Sequence, residues 1–413
     1  MIYDVIVIGG GPAGLMAANI FEQQHLNYLL LEKNEKPGKK LLITGGRRCN
    51  VTNRYNVNEF IANLTLPHKR FLYGALSEFG PKEVIEHFKK NGLNLVLEDN
   101  FKYFPETGKS SSVLEVLQSK INQQRLMCGQ FVKEIHQIDD CFLIKTNQTS
   151  FQAKYVVVAT GSNSYPSMGS NGDGLIFAKY LGIESVPFTP AETHVYAKQV
   201  SKEYAELQGV SIKNTKVTIK GTKILHQGDL LFTHFGLSGP VILHLSEFIY
   251  DEILKGNSQV SFGLVDLSEK EILEILEIEK RKNTQILKIL ENLTTKRLAK
   301  VILEKLEITP KNINEVSKKD LNKMIDMILN FTITIDRVED KEKAYVNRGG
   351  ILTSELDPSS MESKKVKGIY FIGETVDLHG PIGGFNITIA MSTGYRCAKS
   401  IISKLSSRKD AIK

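Results

Sequence analysis

"DVIVIGGGPAGLMAANIFEQQ", residues 4–24, decides the fold. Residues 4–8 carry a short continuous apolar run of the kind a strand buried on both faces of a parallel sheet requires. The run passes straight into Gly9, Gly11 and Gly14 at GxGxxG spacing, and a helical stretch follows at once. Gly9 permits the tight turn, Gly11 lets the backbone approach a pyrophosphate, and Gly14 allows the helix to pack close on the strand. The first amides of that helix are left to bind anionic oxygens. A second apolar stretch, "YLLLE", ends in Glu32. That is close to the ~20-residue spacing at which a carboxylate takes the hydroxyls of an adenosine ribose and repels a 2′-phosphate. Strand, glycine turn, helix and acidic strand end together predict an α/β, doubly wound domain that holds a dinucleotide.

The 413 residues, 41% of them hydrophobic, suffice for two or three domains. No run approaches the ~18 apolar residues of a membrane helix. "MIYDVIVIGGG" lacks the charged leader and cleavage site of a signal peptide, so no membrane partner is expected and the cytoplasm is the expected location. Lys and Arg number 53 against 46 Asp and Glu, a net charge of +7. They are scattered without an aromatic-interleaved stripe, so the expectation is a solvated surface rather than a nucleic-acid partner. Cys49, Cys128, Cys141 and Cys397 show neither CxxC nor zinc spacing, which predicts four reduced thiols and no metal. The sequence carries no signal for oligomeric state.

Two further apolar stretches end in glycine. "KYVVVATGSNSYPSMGSNGDG", residues 154–174, brings Ala159, Thr160, Gly161 and Asp173 to a strand end, and "KGIYFIGETVD", residues 367–377, does the same with Gly373, Glu374 and Asp377. "GPIGGFNITIAMSTGYRCAKSI" then suits a buried helix that opens at a glycine pair. The positive end of such a helix would stabilise the negative charge of a reduced flavin along its N1 and C2-carbonyl edge; a structural Gly-Gly turn would give the same pattern. The loop "GKKLLITGGRRCNVTN", residues 38–53, has neither helical period nor strand alternation. Through Lys40, Leu41, Gly46, Arg47, Cys49 and Asn50 it is expected to fold back over the cofactor, its glycines allowing contact and its polar groups facing diphosphate and ring. Val132 completes the candidate cofactor contacts.

"GGGPAGLMAA", "GKKLLITGGRRCNVTN", "FPETGKSSSVLEVL", "VVVATGSNSYPSMGSNGDG", "LLFTHFGLSGPVILHLS" and "GETVDLHGPIGGFNITIAMSTGYRCA" together resemble the bacterial NAD(P)/FAD-dependent oxidoreductase family that includes aminoacetone oxidase and the BaiN-type bile-acid flavoproteins. The resemblance implies a Rossmann-like, glutathione-reductase-like FAD-binding domain with an inserted β-barrel-like domain carrying a helical subdomain. It implies extended FAD with Gly11, Pro12 and Ala13 near the pyrophosphate, Glu32 and Lys33 near the adenosine ribose, and Glu374 near the ribityl chain. Gly384, Phe385 and Asn386 are implied at the flavin ring. Two positions depart from the family. Arg47 stands where the run usually reads GGGRCN, so it is either strained at positive φ or makes a new phosphate contact. His379 stands where relatives more often carry an acidic residue.

The expected organisation is an FAD domain in two parts, residues 1–190 and 341–413, around a barrel-like insert over 191–267, a helical subdomain over 268–330 and a return strand over 331–340. "KVTIKGTKIL" and "FTITIDRV" alternate as strands, and the leucine-rich stretch after 268 is read as packing within the insert rather than as a coiled-coil surface. "SKLSSRKDAIK" is read as a frayed helix end. No second GxGxxG unit exists, so NADH or NADPH would bind only transiently as donor. Candidate catalytic residues are Arg48, Asn53, His234 and His379; a histidine could move a proton as hydride transfers, with a structural role as the alternative. Cys49 is either a small packed side chain or a flavin-proximal thiol. The leading functional reading is an FAD-dependent oxidoreductase of a small metabolite, by amine oxidation with O2 or by NAD(P)H-dependent reduction. An RNA-modifying flavoprotein and a non-catalytic flavin-binding sensor are the alternatives.

Overall fold

The computed structural model describes residues 1–99 and 101–410, with side chains described up to residue 407. The chain forms two compact units, Met1–Thr189 with Lys341–Lys413, and Pro190–Asp340. The discontinuous unit is built on β1 (Ile2–Ile8), whose Val5, Ile6 and Val7 are fully buried, as a central parallel strand demands. β2 (Tyr28–Leu31) pairs with one edge of β1 and the strand Ser150–Val158 with the other, all parallel. Leu126–Met127 extends the sheet beyond β2. The far edge of Ser150–Val158 is shared: its start pairs antiparallel with Cys141–Thr146, and its end pairs parallel with Ile369–Phe371.

The helix after β1, α1 (Pro12–Gln23), begins with proline at its first position, where a missing N–H costs nothing. It packs on the C-terminal helix Phe385–Asp410; a Cβ on Gly394 of that helix would lie 2.4 Å from the Ala13 carbonyl oxygen. Thr388, Ser392 and Thr393 turn their hydroxyls back to carbonyls four residues earlier, which lets this polar-rich helix be buried. Of the expected frayed end, residues up to Asp410 are helical and 411–413 lie outside the described residues.

The second unit is an antiparallel sheet in the order Phe331–Thr334, Gln259–Phe262, Ser211–Ile219, Leu225–Phe232, Gly236–Ser238, Val195–Tyr196, Arg337–Val338. The first and last of these strands are halves of one extended segment. The Ile335 amide continues toward the Ser258 side and the Asp336 amide toward Tyr196, so the segment closes the sheet as a barrel does. "KVTIKGTKIL", read above as one strand, is a hairpin whose turn holds Gly221 at φ +78. The leucine-rich stretch is broken into the helices Glu269–Lys282, Ile286–Leu293 and Lys296–Lys305 by Asn283 at φ +51 and by the Thr295 cap. Ile272, Leu276, Ile289 and Ile302 join Val217, Phe232 and Phe262 in one core. Among the described residues, no helix is long and apolar enough to cross a membrane.

Candidate functional site

Register places the site. Ile8 pairs with both Leu31 and Val158, and Val158 pairs with Phe371, so four parallel strands end level. Gly9, Glu32, Ala159 and Gly373 follow at this carboxyl edge, where open α/β sheets bind ligands. They border one cleft, lined also by Lys33, Lys40, Asp173 and Glu374, of the kind in which ligands bind. The three glycines of the turn do different work. Gly9, at φ +109, has no room for a Cβ, which would sit 2.4 Å from the Ala159 oxygen. A Cβ on Gly14 would sit 2.0 Å from the Gly9 oxygen, so Gly14 lies under the cradle and sets the helix on the strand. A Cβ on Gly11 would meet nothing within 4 Å, so this residue borders open space. Gly11 also caps α1 without a side-chain hydrogen bond, and the first turn holds no acid. An uncapped, positively polarised helix end opening on that cavity fits the pyrophosphate of a dinucleotide such as FAD.

The acidic strand end is preorganised. Glu32, 6% exposed, accepts from the amides of Gly10 (2.7 Å) and Asn34 (2.8 Å) and from the Asn34 side chain (2.8 Å). Oε1 already accepts two of these bonds, so Oε2 keeps the open lone pair for a ribose hydroxyl. Pro12, Ala13, Leu41, Val132, Thr160 and Gly161 also line the cavity. Two ion pairs stand in its wall, Lys33 to Asp173 at 2.6 Å and Lys40 to Glu374 at 2.7 Å. Burial pushes the Glu374 carboxyl up, but the attraction and hydrogen bond of Lys40, with the bond from Ser162, outweigh it and hold the group below its ordinary 4.5. A depressed acid stabilises the fold above its ordinary value and loses that contribution as pH falls through the lowered one. Glu374→Gln is therefore expected to melt below the wild type near neutral pH, with the gap closing as pH falls below about 4.5. Melting curves across that range check this; a gap independent of pH contradicts the pairing.

Of the other expected contacts, Gly46, Arg47, Cys49, Asn50, Asp377, Gly384 and Phe385 do not line the cavity, and the loop 38–53 is not the irregular wrap its composition suggests. It contains a short helix, Lys39–Ile43, a tight turn over Thr44–Arg47 and a strand, Thr52–Asn53. Gly46 and Arg47 are exposed, and Arg47 sits at φ +70. That left-handed backbone costs about 1–2 kcal/mol for a residue with a Cβ. Cys49 is fully buried, and burial pushes its thiol up to about 12 against the hydrogen bond from Thr44. It is a packed side chain, not a reactive thiol. Asn50 ties its own loop together through the Thr52 and Tyr103 carbonyls.

Of the candidate catalytic residues in this unit, none of Arg48, Asn53 and His379 lines the cavity. Asn53, fully buried, donates to the Gly383 carbonyl at 3.2 Å and accepts from the Tyr55 amide, so it pins the loop to the start of the C-terminal helix. Arg48 pairs with Glu98 at 2.5 Å on the surface. His379 is 3% exposed and does not line the cavity. His234 belongs to the other unit, exposed, with its ring against Phe235 at 4.9 Å. Gly384 and Phe385 also serve packing. A Cβ on Gly384 would lie 2.4 Å from the Thr52 backbone, and the Phe385 ring packs on Phe60 at 4.6 Å. Asp377 accepts from the Gly349 amide at 3.0 Å. Asn386 does line the cavity while bonding Gly380 in both directions at 2.9 and 2.7 Å. Sequence reasoning missed Asn34, which fixes Glu32, and Ser162, which fixes Glu374; neither belongs to a spacing pattern.

A family model described as the HI0933-like protein Rossmann domain matches residues 3–400. The chain is 28% identical over 403 residues to a ribosomal RNA dihydrouridine synthase of Haemophilus influenzae, covering 96% of this chain and 98% of that one. It is 27% identical over 412 residues to a 3-dehydro-bile acid delta(4,6)-reductase of Clostridium scindens, covering 95% and 98%. In fold it is similar to the 3-ketosteroid-delta4-(5alpha)-dehydrogenase of Rhodococcus jostii, with a TM-score of 0.52 at 14% identity over 97% of this chain and 96% of that one. With its dinucleotide cradle at the carboxyl edge of a doubly wound sheet and a match spanning nearly its whole length, the chain belongs to the HI0933-like Rossmann family of the FAD-binding oxidoreductase superfamily.

Proposed function

We propose that this FAD-dependent oxidoreductase uses NADH or NADPH to reduce a carbon–carbon double bond conjugated to a carbonyl, and that its substrate is a uracil base in ribosomal RNA. The observation that carries the reading is the chemistry shared by the relatives. A dihydrouridine synthase and a bile-acid delta(4,6)-reductase both add two hydrogens across such a bond. Each turnover consumes one NAD(P)H and one proton and leaves the bond saturated. FAD, when bound, supplies the two-electron relay between nicotinamide and substrate.

The chain's own residues do the holding. The Gly9–Gly14 turn and the start of α1 take the pyrophosphate, and Glu32, fixed by Asn34, takes the ribose. Lys40 and Glu374 tie the loop 38–53 to the strand end beside the cavity. The same fold accommodates a second reading, reduction of a small enone, which the bile-acid relative favours. Acting on ribosomal RNA would put the enzyme in the cytoplasm.

The test is to incubate the FAD-loaded protein with NADPH and ribosomal RNA transcribed in vitro, then digest to nucleosides. The expected result is a nucleoside two hydrogens heavier than uridine, with no hydrogen peroxide released. Reduction of a steroid enone but not of RNA would select the small-molecule reading. Peroxide formation on adding an amine such as aminoacetone, with no reduction of either substrate, would overturn both.

A further inference from the structure

We propose that the face built from residues 45–54 and 101–104 is the docking site for the phosphodiester backbone of the RNA; the inference rests on the ribosomal-RNA reading above. No basic stripe interleaved with aromatics exists along the sequence, but the fold assembles one from two segments. Thr52 pairs with Tyr103 and Asn53 with Lys102, antiparallel. The Arg48 guanidinium then lies over the Phe104 ring at 4.5 Å and the Lys102 ammonium over the Phe101 ring at 5.2 Å. Tyr55 stacks on Phe101 at 5.9 Å between centroids and 25° between planes. Phe104 is buried beneath Arg48, whereas Tyr55, Phe101 and Tyr103 are partly exposed; cations beside such rings are what single-stranded nucleic acid binds, phosphates on the charges and bases on the open rings.

Charge and backbone favour the same occupant. Residues 45–54 and 101–104 hold Arg47, Arg48, Arg54 and Lys102 and no acid, in a chain whose net charge is only +7. Arg48 is paired with Glu98 and Lys102 with Asp99, but among the described residues neither Arg47 nor Arg54 has an ion-pair partner, and both are exposed. Gly45, Gly46, Arg47 and Cys49 are all left-handed, at φ +53, +64, +70 and +64. Cys49 is anchored in the core, so this turn holds Arg47 and Arg48 outward. A strained, exposed arginine with no ion-pair partner among the described residues is accounted for by a ligand outside the protein. Thr44, Lys39 and Lys40, in the same segment, line the dinucleotide cavity, so a backbone docked here runs beside the cofactor.

The test uses the full chain loaded with FAD and two probes, fluorescein-labelled oligouridylate and deproteinised ribosomal RNA, by anisotropy at several salt concentrations. Arg47→Glu with Arg54→Glu is expected to weaken binding at least tenfold while flavin content and bleaching by NADPH stay at wild-type values. Arg47→Gly with Arg54→Gln, which relieves the left-handed strain and so folds even if the reversal does not, is expected to flatten the log–log salt slope by about 1.4, two contacts at ~0.7 each. Unchanged affinity and slope in the neutral pair would overturn the proposal. Slower bleaching by NADPH with RNA affinity intact would also overturn it and assign the arginines to the nicotinamide's phosphates. If the wild type makes dihydrouridine and the variants bind as it does, only the docking face fails; if the wild type neither binds nor reduces RNA, the functional reading fails with it.

Discussion

Gly11→Asp should yield a folded, colourless protein. The position is extended, at φ −80, and a Cβ there meets nothing within 4 Å, so the backbone accepts the change. Aspartate at a helix N-cap is also among the better choices, since its carboxylate can take a free amide of the first turn. The apo-protein is thus expected to melt at or slightly above the wild-type temperature. The same carboxylate occupies the anion site with an anion. At ~4 Å and an effective dielectric of ~20, two unit charges repel by about 4 kcal/mol, enough to weaken FAD binding a hundredfold or more. Gly14→Ala should behave in the opposite way, because its Cβ would lie 2.0 Å from the Gly9 oxygen and the turn itself must break. Flavin content and thermal melting of the two variants separate the effects. A yellow Gly11→Asp protein would mean that the pyrophosphate does not lie at this turn.

Glu32→Ala is expected to lose both flavin and stability. The carboxylate is the acceptor for two backbone amides and one side-chain amide in a nearly dry site. Leaving those donors without a partner costs about 1 kcal/mol or more each, roughly 3 kcal/mol together. For a unit of this size that lowers the melting midpoint by roughly 5–10 °C. The ribose loses its partner in the same substitution, so flavin retention should fall even at temperatures where the variant is folded. Full flavin occupancy after gel filtration would show that the end of β2 does not meet the cofactor.

The two experiments probe the part of the molecule that was most legible beforehand. Gly9, Gly11, Gly14 and Glu32 could be read because each is fixed by a spacing within one strand–turn–helix–strand unit, where local sterics decide the geometry. The change from apolar runs to alternating and helical patterns marks residues 191–340 as different, and it is the family resemblance that implies their insertion into the FAD domain. The hairpin turn at Gly221 was hidden because the alternation runs through it unbroken. The roles of Asn53 and Gly384 were hidden because they depend on each other's segments across more than 300 residues, and a packed pin and a ligand contact look alike in one dimension. The aromatic-basic face was invisible for the same reason. Residues 101–104 carry a single cation among their rings and residues 45–54 carry three arginines and no ring, and only the pairing of residues 52–53 with 102–103 brings them together.

The closing of the sheet by Ile369–Phe371, and of its helical layer by Phe385–Asp410, has a consequence for how the chain is made. On the ribosome, the strand Ser150–Val158 emerges long before the parallel neighbour that completes its far edge, and α1 waits for the helix whose glycine it packs against. The unit from Pro190 to Asp340 is continuous in sequence and has its own core, so it can fold while the first part is still incomplete. The nucleotide pocket is therefore finished late: until residues 369–410 have been made, a nascent chain carries the whole Gly9–Gly14 turn and still has no closed place to put the flavin.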